Sequence, residues 1–345
     1  MKKLLNLLSV IFVAAFAFLI ILRPEISLKS ALSGVVLCGK VIIPSLFPFT
    51  FCVMFINKSG ILKFLKPLNP ITQFLFHLNY YEFSLFLLSL IGGYPLGAKL
   101  LNQSETENEK TKIMINYCIN AGPAFVVLAV GKGVFKSVLI GWILFLSHIL
   151  ASLIIALFLG RFLKQSKKIT APKRIGAVDN FVLSAADAAD TIIKICSLVI
   201  LFSVICGYIE MLSVSFKPLS FLGLLCEVTT AVFKTDNVII AAFLLGFSGF
   251  SIWCQVFSLL KGMKINYLLF ITFRFIHGIL SSGLTLLLLK VFKVSVSTLS
   301  NNINFDISAF INGPVVAFSL IIMGIILIIS LYNKKYAGNL TDDIV

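Results

Sequence analysis

The chain has 345 residues, of which 59% are hydrophobic and 12% are charged, with a formal net charge of +15. With a mean hydropathy of +1.04, this composition excludes an ordinary soluble domain and predicts an all-α polytopic membrane protein. The excess charge does not indicate a nucleic-acid partner. Its Lys and Arg residues are scattered through the loops between apolar segments, where the positive-inside bias places them.

The sequence also argues against several chemical functions. Its seven cysteines lie in apolar segments without a CxxC motif or a Cys/His metal spacing, so we predict neither a disulfide framework nor a metal site. It contains no Walker motif, kinase signature, nucleophile elbow or HExxH motif. We therefore expect no enzymatic activity and no cofactor, while the identity of any coupling cation stays open.

The N-terminal segment 1–30 is predicted to be a signal-anchor helix. Its apolar run from Leu4 to Leu22 is long enough to span a bilayer, which needs about 20 residues, so we do not interpret it as a cleaved signal peptide. A second span, from Ala31 to Ile56, contains Pro44 and Pro48 and is expected to kink, because proline removes backbone donors.

The most unusual stretch interrupts an apolar run over 83–101 with Gly92-Gly93-Tyr94-Pro95-Leu96-Gly97-Ala98-Lys99. A turn in the middle of this run leaves two halves that are each too short to span. We predict a re-entrant hairpin; the alternative is a kinked helix that packs closely on small residues. Unpaired backbone groups are costly in lipid, so those at the turn must face protein or a wet cavity.

The remainder of the first predicted repeat, 31–163, contains three further elements. They are an interfacial amphipathic helix within 57–82, a span over 113–130 that is broken at Asn120-Ala121-Gly122-Pro123, and a span over 137–160. A strongly basic loop at 164–180 follows and is predicted to be cytoplasmic.

The same order of elements recurs in a second predicted repeat, 181–292. Its elements are a long span over 181–212, a hairpin over 219–233, a broken span over 238–260 and a span over 265–289; a C-terminal span and tail occupy 305–345. Gly122 aligns with Gly249 and His148 with His277, at an offset of about 127 to 129 residues.

Loop charges give the two repeats opposite orientations. With the N-terminus inside, about twice as many loop Lys and Arg residues fall inside as outside. The first repeat then starts outside and the second starts inside. We therefore predict an inverted-topology repeat with two re-entrant hairpins and two broken helices, and a binding site where they meet near the bilayer midplane.

Hairpin tips and broken helices expose backbone dipoles that attract ions, so the candidate substrate-binding residues lie at the two tips and the two breaks, together with one central cation. They are Gly92, Gly93, Tyr94, Pro95, Gly97, Lys99, Asn120, Gly122, Pro123, Glu227, Thr229, Thr230, Ser248, Gly249, Ser251, Gln255 and Arg274.

Four of the polar residues have alternative interpretations. Glu227 is expected to have a partner, a coupling cation or a proton if it is buried, or else to lie in the headgroup zone. Lys99 either attracts an anionic substrate or snorkels to the interface. His148 and His277 either form hydrogen bonds between helices or relay protons.

Four motifs in a fixed order resemble the sporulation integral membrane protein YlbJ family, within the wider group of nucleoside-recognition Gate-domain proteins. They are Pro44-Ser45-Leu46-Phe47-Pro48-Phe49, Gly92 to Lys99, Asn120-Ala121-Gly122-Pro123-Ala124-Phe125 followed by Gly131-Lys132-Gly133, and Gly246-Phe247-Ser248-Gly249. The resemblance covers most of the chain from Gly39 to Leu289. It implies a role in spore formation, in which dipicolinate is moved across the outer forespore membrane.

The resemblance also implies an architecture similar to that of concentrative nucleoside transporters. Their first hairpin carries a Gln-Thr-Glu type of cluster that holds the base, whereas this one has Gly-Gly-Tyr-Pro, which counts against a nucleoside substrate. Dipicolinate is a small planar dianion. The N–H groups of a glycine-lined tip, the cations Lys99 and Arg274, and the ring of Tyr94 suit such a molecule.

Three functions are therefore compared. The first is a transporter of a small organic anion, with dipicolinate as the substrate that the resemblance implies. The second is a cation-coupled transporter of a nucleoside or another polar solute. The third is a non-transporting scaffold for spore-envelope assembly, which costly broken segments in lipid argue against. The expected partners are a small-molecule substrate and the lipid bilayer, with a homo-oligomer left open and no nucleic acid.

Overall fold

A computed structural model describes residues 2–104, 108–163, 175–214, 216–260, 263 and 265–294, and all regular secondary structure within them is helical. Five helical segments of this described part are long and apolar enough to cross a membrane. They are Pro24–Ser59, Val138–Gly160, Ala177–Ser213, Val238–Leu259 and Tyr267–Val291. The prediction of an all-α protein with several spans is confirmed. Most of the predicted basic loop (164–174) and the predicted C-terminal span (305–345) lie outside the described residues.

The first helices are separated by a sharp break at Arg23. Helix α1 covers Lys2–Leu22 and α2 covers Pro24–Leu37, so the second helix begins earlier than the predicted residue 31. A π-helical turn at Cys38–Ile42 joins α2 to α3, Ile43–Ser59. Pro44 cannot donate a backbone hydrogen bond to the preceding turn, and a widened turn just before it is the expected local irregularity.

Helix α9, Ala177–Ser213, packs antiparallel along α2 and α3. The Tyr208 hydroxyl donates to the Arg23 carbonyl at 3.0 Å near one end, and Lys58 pairs with Asp187 near the other. Between these contacts, small residues allow a close approach: a Cβ on Gly34 would lie 2.9 Å from the Ser203 hydroxyl oxygen. Small residues at a helix interface are the usual means of close packing in membranes.

A bend of 82° separates two short helical segments from the helix that follows them. The segments are a 3₁₀ helix at Ile61–Leu68 and α4 at Asn69–Phe76, and the next helix is α5, Tyr80–Gly92. Phe64 and Phe74 are 82% and 81% exposed. Exposed aromatic residues on short amphipathic helices suit a membrane interface, so the interfacial position predicted for this segment fits the bend.

The remaining helices of the described part come after α5 in the chain. They are α6 (Tyr94–Gln103), α7 (Asn108–Met114), a π-helical segment (Ala124–Val134), α8 (Val138–Gly160), α10 (Pro218–Cys226), α11 (Val228–Lys234), α12 (Val238–Phe247), α13 (Gly249–Leu259) and α14 (Tyr267–Val291). Helix α14 packs against α8 and α12. A Cβ on Gly246 would lie 2.6 Å from the Cα of Gly278, so α12 and α14 are almost in backbone contact.

Candidate substrate-binding site

The first hairpin turns at Gly93, between α5 and α6. Gly93 has φ 91° and ψ 168°, a backbone conformation that essentially only glycine adopts, and Pro95 lies in the first turn of α6. The two arms then run side by side, because a Cβ on Gly97 would lie 3.1 Å from the Cβ of Ser89. Gly92 is the last residue of the first arm.

The first broken helix lies directly on this tip. The chain leaves helical structure after Met114 and resumes it at Ala124, with Pro123 in the N-cap position. A Cβ on Gly122 would lie 3.3 Å from the Ile91 carbonyl oxygen and 3.4 Å from the Gly93 nitrogen. The unwound segment therefore packs against the turn of the first hairpin.

The second hairpin turns at Glu227, between α10 and α11. Glu227 is extended and fully buried, and its two carboxylate oxygens accept hydrogen bonds from the backbone N–H groups of Thr229 at 3.0 Å and Thr230 at 2.6 Å. A carboxylate at this position caps the helix and faces its positive end. In this structure the partner of the buried Glu227 carboxylate is the first turn of α11.

The second broken helix lies on the second tip in the same way. Ser248 and Gly249 have φ values of 70° and 77°, which end α12 and start α13. A Cβ on Gly249 would lie 3.1 Å from the Val228 nitrogen and 3.2 Å from the Leu225 carbonyl oxygen. Gly122 and Gly249, the two residues aligned by the sequence offset, therefore each pack on a hairpin tip.

A hydrogen bond links the first hairpin to the second broken helix. The Tyr94 hydroxyl donates to the Leu245 carbonyl at 2.8 Å, and the Tyr94 ring meets the His148 ring edge-on at 6.4 Å. Beyond the second break, Gln255 donates to the Ser251 hydroxyl oxygen at 3.4 Å and both side chains are buried. The first tip, the second break and α8 thus meet at Tyr94.

Arg274 occupies the first break. It is fully buried in the first third of α14, and its guanidinium donates to the carbonyl of Ile119 at 2.6 Å and to that of Asn116. Ser152 of α8 donates to the neighbouring Tyr117 carbonyl at 2.8 Å. The carbonyls freed by the break are therefore bonded, but Arg274 forms no ion pair with any residue that the structure describes.

The two histidines predicted at equivalent positions are in contact. The rings of His148 and His277 have centroids 4.3 Å apart and an interplanar angle of 30°. The Ala121 N–H donates to His148 Nε2 at 3.0 Å, and His277 Nε2 lies 3.1 Å from the His148 carbonyl oxygen. Both side chains thus connect helices around the first break, while proton relay stays a prediction.

Several buried polar atoms around the first break have no hydrogen-bond partner within the described residues. They belong to what we call the polar cluster, and they are Asn116 Oδ1, Tyr117 Oη, Asn120 Oδ1, His148 Nδ1, Arg274 Nε, His277 Nδ1 and Ser281 Oγ; Gln255 Oε1 on α13 is a further one. Nearly all buried polar groups in proteins are paired, with protein or with bound water. Bound water or a polar ligand could pair with such atoms, which makes the polar cluster the candidate site.

Comparison with known proteins found a relative that is similar over most of the chain. The chain is 24% identical over 343 residues, covering 84% of each protein, to the sporulation integral membrane protein YlbJ of Bacillus subtilis (strain 168). This similarity over most of both chains supports membership of the YlbJ family. Together with the apolar helices, this relationship makes it a multi-pass membrane protein. No protein-family model matches the chain, and no solved structure is similar to it.

Lys99 contacts α9. Its ammonium donates to the Asp187 carbonyl and to the Thr191 hydroxyl, both at 2.6 Å, and lies 3.6 Å from the Asp187 carboxylate. Lys58 pairs with the same carboxylate. Lys99 is buried in the protein, so the prediction that it snorkels to the interface is not what the structure shows, and its charge is already paired.

The Asp187 carboxylate is expected to be essential for this arrangement. Asp187→Asn would leave Lys58 and Lys99 without a carboxylate and should reduce the free energy of unfolding by about 2 to 3 kcal/mol, because a broken, largely buried ion pair leaves an uncompensated charge. Thermal unfolding in detergent measures the change. Asp190→Asn is the control, since Asp190 is 53% exposed and pairs with Lys194. Equal stability of the two variants would contradict the prediction, as would no rescue by adding Lys99→Met.

Glu227 is expected to act on stability rather than on turnover. Glu227→Ala removes both acceptors of the helix cap and should cost about 1 to 2 kcal/mol, whereas Glu227→Asp should fold normally because aspartate is a good N-cap residue. Glu210→Gln, at an exposed glutamate, serves as the control. If Glu227→Gln unfolded like the wild type but abolished transport, Glu227 would act on substrate or coupling ion instead.

One buried ion pair was missed in the sequence analysis. Glu82 at the start of α5 accepts two hydrogen bonds from the Lys110 ammonium, at 3.0 and 2.9 Å, and both side chains are buried. Glu82 also bonds to the Asn79 N–H at 2.8 Å and completes a capping box. The Asn-x-x-Glu spacing before an apolar run is a recognisable signal for the cap, but not for the pairing with Lys110.

Proposed function

We propose that this protein is a membrane transporter for a small organic anion, with dipicolinate crossing the outer forespore membrane as its substrate. The observation that carries the proposal is the charge of Arg274. This side chain is 0% exposed, lies in the first break as part of the polar cluster, and bonds to backbone carbonyls rather than to a carboxylate.

A buried cation without an acidic partner favours an anionic ligand. Taking a charge out of water costs several kcal/mol, and carbonyl dipoles compensate for it only in part. A bound carboxylate would supply the missing charge. The two described hydrogen bonds use two of the five N–H donors of the guanidinium, and Nε is without a partner in the described part of the chain.

The paired tips and breaks support transport rather than a purely structural role. In each half a glycine of a broken helix packs on a hairpin tip, which is the arrangement expected of an inverted repeat with its site between the halves. The polar contacts between Tyr94 and Leu245 and between Lys99 and α9 join the first hairpin to the second half.

The family relationship supports the choice of substrate. The Bacillus subtilis relative is named as a sporulation protein, and dipicolinate is a small dianion that fits a transporter used in spore formation. A neutral nucleoside would leave the Arg274 charge without a partner. The outer forespore membrane is accordingly the proposed location of this chain.

Radiolabelled dipicolinate uptake into proteoliposomes that contain only this protein tests the proposal. We expect saturable uptake that excess uridine does not inhibit. Gln255→Leu, which removes a buried polar side chain next to the second break, should lower uptake at least about tenfold with little effect on folding, and the part-exposed neighbour Ser258→Ala should not. Sodium-dependent uridine uptake would instead favour a nucleoside transporter, and no uptake of either solute by folded protein would favour a scaffold.

A further inference from the structure

A cavity lies between α2, α9 and α11, and none of its lining residues belongs to the polar cluster. Its volume is about 360 Å³, which falls within the size range of small-molecule sites. Ile26 and Leu37 mark its extent along α2, and Met211 contributes to its wall from α9. Its lining shares Thr230 with the second hairpin.

Hydroxyl groups line the cavity from all three helices. Ser30 and Ser33 come from α2, Ser203 from α9 and Thr230 from α11. Their positions follow from the close helix packing: a Cβ on Gly207 would lie 2.1 Å from the Ser30 hydroxyl oxygen. The Ser203 hydroxyl donates to the Val199 carbonyl at 2.8 Å, whereas a hydroxyl at Ser30, Ser33 or Thr230 can donate one hydrogen bond to an oxygen of an anion.

The charged residues that line the cavity carry one more positive charge than negative charge. Lys234 pairs with Glu210 at 2.8 Å, so these two charges cancel. Lys29 also lines the cavity and forms no ion pair among the residues that the structure describes. An exposed ammonium beside hydroxyl donors is suited to a carboxylate, because charge-assisted hydrogen bonds are the stronger kind.

The cavity reaches the second hairpin. Thr230 lines it, and the backbone N–H of the same residue donates to the Glu227 carboxylate at 2.6 Å. Glu227 is the turn residue of that hairpin, and Gly249 of the second break packs against the same turn. A ligand in the cavity would therefore contact the first turn of α11. That turn begins directly after Glu227, where the second hairpin packs against the second broken helix.

We propose that this cavity is an access site that binds a small soluble carboxylate, with Lys29 as its charge partner and the α2 and α11 hydroxyl groups as donors. The ligand belongs to the substrate class of the proposed function, so the identity of the ligand rests on that proposal. In the predicted topology Lys29 and Lys234 lie on the same, non-cytoplasmic side, so the site would serve solute on that side of the membrane.

Equilibrium binding of radiolabelled dipicolinate to the full chain in detergent, together with uptake kinetics, tests the proposal. Lys29→Gln should raise both the dissociation constant and KM about tenfold, and Ser33→Trp should do the same by filling the cavity, with kcat unchanged. The controls are Lys217→Gln, at an exposed lysine outside the cavity, and Leu28→Trp, at a 74% exposed neighbour on α2. Both should behave as the wild type.

The outcomes separate this inference from the proposed function. Wild-type uptake with an unchanged KM in Lys29→Gln and Ser33→Trp would overturn the access site and leave the transporter in place. Competition by phosphatidylglycerol but not by soluble benzoate would overturn it in favour of a lipid site. If the wild type neither binds nor transports dipicolinate, the access site and the proposed function both fail.

Discussion

Alanine at Gly97 is expected to prevent the native fold. Its Cβ would lie 1.7 Å from the Cys118 carbonyl oxygen and 2.8 Å from the Cys118 carbonyl carbon, where the neighbouring atoms belong to the backbone of the first break. Overpacking a core costs about 1 to 3 kcal/mol when side chains can move, and we expect more than about 3 kcal/mol here because neither backbone can retreat. Thermal unfolding and the monodisperse yield in detergent measure the loss.

Gly283→Ala is the matched control for Gly97→Ala. Gly283 lies on α14, and a Cβ there would meet no atom within 4 Å. It should be neutral or slightly stabilising, by up to about 1 kcal/mol, since alanine is the better helix former. Wild-type stability of Gly97→Ala would contradict the close contact between the first hairpin and the first break.

Replacement of Arg274 by methionine is expected to abolish anion transport. Methionine is of similar length and removes the one positive charge of the polar cluster, as defined from the described residues. We expect kcat/KM for dipicolinate to fall at least about 100-fold, the scale of a lost hydrogen bond to a charged group in a dry site. The Ile119 and Asn116 carbonyls would also lose their donor, so some loss of stability accompanies the change.

Two further variants separate charge from folding at this position. Arg274→Lys keeps the charge but not the planar fork, and it should retain part of the activity with a KM raised about tenfold. Lys290→Gln, near the end of the same helix, should transport like the wild type. If Arg274→Met folds and transports dipicolinate normally, Arg274 only bonds the broken helix and the anion proposal loses its basis.

The positions of the turns and breaks were predictable from sequence because single residues determine them. Gly93, Ser248 and Gly249 have positive φ values at or next to the motifs that predicted a turn, and Pro123 precedes the resumed helix after the first break. The apolar runs likewise marked the long helices, since their length follows from bilayer thickness. Local chemistry was enough for these features.

The partners of the charged residues were not predictable, because they come from distant parts of the chain. Arg274 bonds to carbonyls 155 and 158 residues away, and Lys99 bonds to a residue 88 positions away. Neither pairing leaves a periodic pattern in the sequence. The interpretation of Lys99 as a substrate ligand therefore rested on residue type alone, and the structure places it on α9.

In the proposed function, the charge of Arg274, which forms no ion pair with the described residues, selects an anionic substrate. The most direct test compares wild-type uptake, in proteoliposomes, of dipicolinate, of picolinate with one carboxylate, and of the neutral isostere pyridine-2,6-dicarboxamide. We expect uptake to fall in that order, with the neutral compound not transported. We also expect Arg274→Lys to keep this order. Equal or faster uptake of the neutral isostere would contradict the proposed function.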